Sequence, residues 1–273
     1  MERVALACWD DFEAQLKKLD EEANAVEDAR GDVRASGYLF RGHGDADYPL
    51  QTSLERFFAR PLSLADYYRL ALVAKPRLEA FTGRRWELPS QEAYAAWLEG
   101  AAGSTLDDYP AYDYLAYLRH HGFPSPLLDW TQSPYVAAFF AFRYPLPGAK
   151  AVAVYAYRDA PDAKTASSGA ARIHRQGPYV SSDKRHFLQQ SQYTFCTRTD
   201  DAGVVGYIGH EQAFRDVSPA DRIRKFLIPL SARRQALMQL NRMNINAFSL
   251  FGSEDSLVET IAISDIYLRG GDL

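Results

Sequence analysis

An arginine closes a short apolar run near the start of the chain, in the sequence GYLFRGHGDADYP. The guanidinium of Arg41 offers a planar fork of donors that suits a diphosphate or a carboxylate. Gly42 removes a side chain beside it, which lets a ligand or a loop approach the backbone, and His43 is able to donate to a phosphate. The alternative is a structural arginine that pairs with Asp45 or Asp47 to pin the turn. The residues alone support both interpretations equally.

A second group of polar residues surrounds a tryptophan in the sequence LRHHGFPSPLLDWTQSPYVAAFFAF. If this stretch is extended, Asp129 and Thr131 share one face, and Trp130 points to the other face and into the core. A polar face at the mouth of a buried helix presents its groups to a cleft, which His120 would also line. The alternatives are that Asp129 caps a helix or pairs with Arg119, and that His120 is a half-buried structural histidine.

Two later runs contain further candidates. In KRHFLQQSQYTF, Arg185 and Gln189 lead into a strand, and the glutamine is able to hydrogen-bond an amide or a ribose, although surface polarity explains it as well. In LFGSEDSLVETI, Glu254 begins a helix, where an acid is electrostatically favoured without any functional role. Glu259, on the same helix, is expected to face solvent.

The sequence has no residue pattern typical of a disulfide framework, a metal site or a catalytic triad. Cys8 and Cys196 lie far apart, which gives neither a disulfide framework nor metal-ligand spacing and is typical of a reducing cytoplasm. The adjacent His120 and His121 point in different directions on a helix, so no metal site is expected. No Ser-His-Asp or Cys-His pattern stands out, and no G-x-G-x-x-G or Walker loop is present, which argues against a doubly wound nucleotide-binding fold.

The elements that position these residues follow from periodicity and from capping signals. Helices are predicted over 11–29, from Ser63 toward Pro76, over about 90–99, after Pro110 up to Gly122, from Ser133 with Pro134 in the first turn, from Ser231, and after Ser253. Strands are predicted in GYLF, AVAVYAY, QYTFCT, GVVGYIG and KFLIPL, with a short extended segment in FPSPLLDWT and a linker over 161–171. This order predicts an α+β domain in which N-terminal helices pack on a mixed, mostly antiparallel sheet.

Composition predicts one soluble domain over 1–273, divided into an acidic N-terminal helix (1–32) and a core (33–273). Apolar residues make up 47% and charged residues 24%, which is ordinary for a globular protein. No apolar run approaches the roughly 18 residues that span a bilayer, so we expect a cytoplasmic protein without membrane contact. The net charge is −4, yet residues 172–242 carry twelve Lys and Arg against six acids, which would face phosphates or, with better support, solvent.

Four segments, in this order, resemble the FRG domain, a bacterial and phage family named for a Phe/Tyr-Arg-Gly motif. They are YLFRGHGDADYPLQTSLER, RHHGFPSPLLDWTQSPYVAAFFAF, KRHFLQQSQYTF and the C-terminal stretch KFLIPLSARRQALMQLNRMNINAFSLFGSEDSLVETIA, which together reach from about residue 34 to 262. Two departures concern motif positions. The sequence has Pro124-Ser125-Pro126 where the family often has Pro-Thr-Arg, and Gly252-Ser253-Glu254 where it often has Pro-Asp-Leu.

The same arrangement resembles, more distantly, the parts of an ADP-ribosyltransferase. This resemblance implies an ADP-ribosyltransferase-like fold that uses NAD as substrate and needs no metal. Arg41 would bind the diphosphate with support from Gly42 and His43, and Arg185 would also contact the dinucleotide. Among the remaining candidates, His120, Asp129 and Thr131 would line the ribose cleft, and Gln189 or Glu254 would act near the reacting carbon.

The resulting expectation is an ADP-ribosyltransferase that modifies a macromolecule, with nucleic acid favoured over protein, in a toxin or antiphage role. An antitoxin or inhibitor protein is a possible partner in such a system. The alternative from another class is a non-catalytic nucleic-acid or nucleotide-binding module of a defence system. A nuclease is the least supported interpretation, because Asp45, Asp47 and Asp129 have no spacing that predicts a metal cluster.

Overall fold

The structure is a computed structural model, and it describes residues 1–30, 37–100, 106, 109–158, 169–177, 184–216 and 222–270. Its helices are α1 (Trp9–Arg30), α2 (Ser53–Phe57), α3 (Leu64–Thr82), α4 (Gln91–Gly100), α5 (Tyr112–His120), α6 (Pro134–Arg143), α7 (Lys184–Leu188), α8 (His210–Asp216), α9 (Arg233–Arg242), α10 (Ala247–Phe251) and α11 (Glu254–Ile261). Its strands are β1 (Glu2–Ala5), β2 (Tyr38–His43), β3 (Leu128–Thr131), β4 (Ala151–Arg158), β5 (Arg172–Gln176), β6 (Ser191–Thr199), β7 (Val205–Tyr207) and β8 (Arg222–Pro229).

These eight strands form one sheet in the order β1-β8-β4-β2-β3-β6-β5, with β7 paired to β6. Only the β1–β8 pair is parallel among the described strands. The predicted α+β class with a mostly antiparallel sheet is therefore confirmed. Within the described residues, no helix combines the length and the apolar character that crossing a bilayer requires.

The helices divide the sheet into two regions on one face. Phe40 pairs with Thr131, and Asp129 pairs with Tyr193, so these four residues share a face of the sheet. Phe40 belongs to the core beneath α1, α6 and α9, whereas Tyr193 belongs to the core beneath α3, α4 and α5. The two helical groups thus lie side by side, and a third core, which includes Trp130, covers the other face.

Capping signals located most helix starts correctly. The hydroxyls of Ser63, Ser133 and Ser253 each accept a hydrogen bond from a main-chain N–H in the first turn of α3, α6 and α11. The helix predicted from Ser231 is present as α9, but a 3₁₀ turn over Leu230–Ala232 leads into it and no side chain caps its start.

Other boundaries differ from the prediction. Helix α3 continues past Pro76 to Thr82, although a proline inside a helix removes one main-chain hydrogen bond. The sequence analysis also missed β1, β5 and the short helices α2, α7, α8 and α10. Most of the predicted linker lies outside the described residues, since 159–168 are not described.

Candidate functional site

The sheet is almost interrupted between β2 and β3. All six residues of β2 pair with β4 on one side, whereas only Phe40 pairs with Thr131 on the other side. The guanidinium of Arg41 spans the gap that follows, and its Nη1 donates to the main-chain oxygen of Asp129 over 2.6 Å. A side chain therefore supplies a hydrogen bond that the main chain would make in a continuous ladder.

Gly42 is required by a helix. A Cβ at this position would lie 1.9 Å from the carbonyl oxygen of Ala137 and 2.7 Å from the nitrogen of Ala141, both in the main chain of α6. A ligand or a loop was expected to occupy the space that Gly42 leaves free. That expectation was wrong, because the main chain of α6 fills this space. A glycine is required at position 44 for a similar reason, since a Cβ there would lie 2.6 Å from the carbonyl oxygen of Tyr144.

A cavity of about 310 Å³ opens on the shared face, where the two helical groups meet. Strands β2 and β3, the entrance to β6, helix α6 and the last residue of α5 supply its walls. The cavity is lined by Phe40, Arg41, Gly42, His120, Asp129, Trp130, Thr131, Ala137, Phe140, Gln189 and Ser191. Six of the nine predicted site residues are therefore brought together.

Arg41 is held from two sides. Its Nε donates to His43 Nε2 over 3.1 Å, and its Nη1 lies 3.8 Å from the carboxylate of Asp129. Burial lowers the pKa of Arg41 to about 10, so the guanidinium is still charged at neutral pH. Burial and the neighbouring Arg41 charge lower the pKa of His43 to about 3, so this imidazole is neutral and accepts the hydrogen bond.

The alternative in which Arg41 pins the turn through Asp45 or Asp47 was wrong. Asp45 accepts a hydrogen bond from the main-chain nitrogen of Asp47, and Asp47 lies 3.8 Å from Arg3. Neither aspartate lines the cavity with Asp129. Among the described residues, no three His, Cys, Asp or Glu side chains come together in a way that would hold a metal ion.

Asp129 is a shared partner of two arginines. Its Oδ2 accepts from Arg119 Nη2 over 2.5 Å and lies 3.8 Å from Arg41 Nη1. The predicted Asp129–Arg119 pair is thus confirmed, but Asp129 faces the cavity as well. Its other oxygen, Oδ1, is enclosed and has no hydrogen-bond partner in the part of the chain that is described. An enclosed carboxylate oxygen without a partner is uncommon, and a water or a ligand in the cavity would satisfy it.

His120 connects the cavity to a buried tyrosine. Its Nε2 lies 2.5 Å from the hydroxyl of Tyr193, and that hydroxyl lies 3.3 Å from Nδ1 of His186. Burial raises the pKa of Tyr193, so its hydroxyl keeps its proton and is available as a donor. The sequence analysis missed both Tyr193 and His186, because no local pattern connects α5, α7 and β6.

Thr131 and Gln189 fix the wall of the cavity. Thr131 Oγ1 donates to the carbonyl oxygen of Gln189 over 2.7 Å and accepts from the main-chain nitrogen of Ser133 over 3.1 Å. Gln189 Nε2 donates to the carbonyl oxygen of Leu250 over 3.2 Å. These bonds connect β3, the start of α6, the start of β6 and the end of α10, so both residues position neighbouring elements.

Three predicted site residues lie outside the cavity lining: His43, Arg185 and Glu254. His43 still contributes to the site, because it accepts a hydrogen bond from Arg41. The guanidinium of Arg185 lies 5.6 Å from the ring of Phe251, whose ring in turn packs 5.9 Å from that of Phe140. Glu254 is exposed in the first turn of α11, where the helix dipole alone accounts for it.

Glu259 does not face solvent, so that prediction was wrong. Its carboxylate accepts from both Nε and Nη2 of Arg143, the first over 2.5 Å, and its side chain is 14% exposed. The Arg143 guanidinium also lies 4.4 Å from the ring of Phe251. This pair ties α11 to the end of α6, one wall of the cavity.

Much of the basic charge in residues 172–242 is used internally. Arg198 pairs with Asp216, Arg175 donates to Gln192, and Arg233 donates to two main-chain oxygens of α6. The three histidines of this region are buried: His174, His186 and His210. Part of the region forms the solvated surface that was favoured, and a phosphate-facing role stays a prediction, because five other basic residues remain exposed: Lys184, Arg185, Arg215, Arg234 and Arg242.

Comparison with known proteins gives one match. Residues 36–150 match the family model described as the FRG domain, so the chain carries an FRG domain over this segment. The match includes Arg41, His120, Asp129 and Thr131, and it ends before Gln189. No curated protein and no solved structure matches the chain. The resemblance of the C-terminal stretch to the family, and of the fold to ADP-ribosyltransferases, stays a prediction.

Proposed function

We propose that this FRG domain binds NAD in the cavity beside Arg41 and transfers ADP-ribose to a macromolecule. The observation that supports the proposal is the convergence of Arg41, His120 and Asp129 in one cavity between two helical groups. Arg41 and Arg119 carry two positive charges against the single charge of Asp129, so an anionic ligand would be attracted.

The size of the cavity suits one half of the dinucleotide. A volume of about 310 Å³ is at the small end of ligand-binding pockets, so the nicotinamide and its ribose would occupy it. The diphosphate would then lie at the cavity edge against Arg41. The unpartnered Oδ1 of Asp129 would accept from a ribose hydroxyl or face the reacting carbon.

The reaction requires a negative charge beside the ribose. When the glycosidic bond breaks, its electron pair goes to the nicotinamide nitrogen and positive charge develops on the ribose carbon. A fixed carboxylate stabilises that charge. Among the described lining residues, Asp129 is the only carboxylate, so we assign it this role in place of Glu254.

The acceptor must lose a proton as it attacks the ribose carbon. His120 is the titratable base in the cavity lining, and its hydrogen bond to Tyr193 orients the ring. We therefore assign His120 the role of general base. A toxin or antiphage role, and an antitoxin or inhibitor that blocks the cavity, follow from the activity as further proposals.

The test is turnover of labelled NAD in a cell extract, followed by separation of the label into protein, RNA and DNA. Asp129→Asn keeps the size of the side chain and removes its charge, so we expect a loss of about a hundredfold or more in rate. The matched control is Asp255→Asn on the exposed surface of α11, which we expect to be as active as the wild type. Equal activity of Asp129→Asn and the control would refute the assignment.

One observation favours a second candidate, a non-catalytic nucleotide-binding module. Asp129 bridges Arg119 and Arg41, which is also how a purely structural carboxylate would be placed. Calorimetry with NAD and with ADP-ribose separates the two functions. Tight binding of either ligand without release of nicotinamide in any extract would support the binding module.

A further inference from the structure

A row of cationic and aromatic side chains starts beside the cavity. We call Arg84, Tyr117 and His121 the Arg84 row. The guanidinium carbon of Arg84 lies 5.4 Å from the centre of the Tyr117 ring, and the Tyr117 and His121 rings are 4.2 Å apart. Trp86 packs 4.9 Å from the Tyr117 ring and holds it in place.

The row is continuous with the candidate site. His121 is exposed at the end of α5 and directly follows His120, which lines the cavity. Tyr117 precedes His121 by one helical turn, so the row extends from the cavity along the end of α5. His120 and His121 point in different directions on α5, so a polymer bound along the row would turn around the end of α5 to place one residue at the cavity.

The surroundings of the row are positively charged and exposed. Arg77 and Arg85 are exposed, Arg85 with 81% of its side chain, and Phe81 is 91% exposed at the end of α3. The acids nearby are Glu79, which is paired with both Lys75 and Arg85, and the exposed Glu87, so the basic side chains are in excess. In a chain with a net charge of −4, this corner has the composition that attracts phosphates and stacks bases.

We propose that the Arg84 row binds single-stranded nucleic acid and presents one nucleotide of it to the cavity. Stacked planar groups require unpaired bases, which a duplex does not expose. A membrane surface would require a continuous apolar face, whereas here exposed apolar residues of α3 alternate with arginines. The binding itself stands without NAD chemistry, and only the presentation to the cavity rests on the proposed function.

The test is fluorescence anisotropy of labelled oligo(U) and oligo(dT) with the full chain over a range of salt concentrations. Tyr117→Leu keeps an apolar contact with Trp86 but removes stacking, so we expect binding to weaken about fivefold or more. Arg84→Gln should weaken binding and reduce the salt slope by about 0.7. The matched control Arg269→Gln removes an arginine whose side chain is 79% exposed and lies outside the row, and it should bind like the wild type.

A fold control accompanies these variants. Tyr117→Phe preserves the ring and its packing, so it should bind within about twofold of the wild type, while Tyr117→Leu should not. Equal affinity of all variants, competition by duplex as effective as by single strands, or binding only to anionic vesicles would each overturn the proposal.

The experiments distinguish a failure of the nucleic-acid proposal from a failure of the transferase proposal. The oligonucleotide assay contains no NAD, so its outcome does not depend on turnover. Binding that depends on the row, in a protein that never consumes NAD, would uphold the row and refute the transferase. NAD turnover in a protein that binds no oligonucleotide would refute the row alone.

Discussion

Single residues in the Phe-Arg-Gly segment have separate physical tasks. Arg41 supplies a hydrogen bond between strands, His43 stays neutral to receive one, and Gly42 admits the backbone of α6. Two of these tasks could not be derived from the sequence. The local sequence identified Arg41 as unusual. It gave no sign that Arg41 donates to the Asp129 carbonyl or that Ala137 lies against Gly42, because both partners are far away in the chain.

Gly42→Ala should destabilise the protein strongly. Its methyl group would overlap the main chain of α6, which has no rotamer by which to move away, and overpacking of this kind costs about 1–3 kcal/mol or more. The measurement is the free energy of unfolding in urea. Gly100→Ala is the matched control, because no atom of the described residues lies within 4 Å of a Cβ there and alanine favours the helix. Equal stability of the two variants would contradict the close approach.

Elements around the cavity were predicted better than their contacts. The extended segment before Trp130, the cap at Ser133 and the buried character of α6 followed from alternation, capping chemistry and an almost wholly apolar helix. The sequence-based prediction of the site did not include Phe140 and Ser191, because a phenylalanine in an apolar helix and a serine before a strand usually have structural roles. The misplacement of Glu259 has the same origin, since its partner Arg143 lies on another helix.

Glu259→Gln should loosen the C-terminal wall of the cavity. It leaves the mostly buried guanidinium of Arg143 without a counter-charge, which typically costs several kcal/mol in a buried pair and less here because water reaches both groups. We expect faster amide exchange over 247–261 and a lower unfolding temperature. Glu254→Gln, on the exposed start of the same helix, is the control and should raise exchange much less, because it removes only a small interaction with the helix dipole.

The whole molecule joins distant parts of the chain in one sheet. The family match ends at residue 150, but β4 begins at Ala151 and pairs with every residue of β2. Gln189 and Ser191 complete the cavity from still further along the chain. The overall class followed from the order of helices and strands, whereas strand order did not, because neighbours such as β3 and β6 are set by contacts that no local signal encodes.

A fragment limited to residues 36–150 should therefore not fold. It would expose β2 along the whole edge that β4 covers and would lack β6, the partner of β3. The measurement is urea unfolding followed by circular dichroism, with the full chain as reference. A cooperative transition in the fragment would contradict this expectation.

The bond from Arg41 to the Asp129 carbonyl sets a condition on whatever enters the cavity. A guest that pulls Nη1 away leaves that main-chain oxygen unsatisfied, and the central seam of the sheet weakens by one contact. A guanidinium has five N–H donors, and the bonds to the Asp129 carbonyl and to His43 use two of them. A guest that binds the other donors therefore leaves the seam intact, so the way an anion approaches Arg41 decides whether binding loosens the sheet.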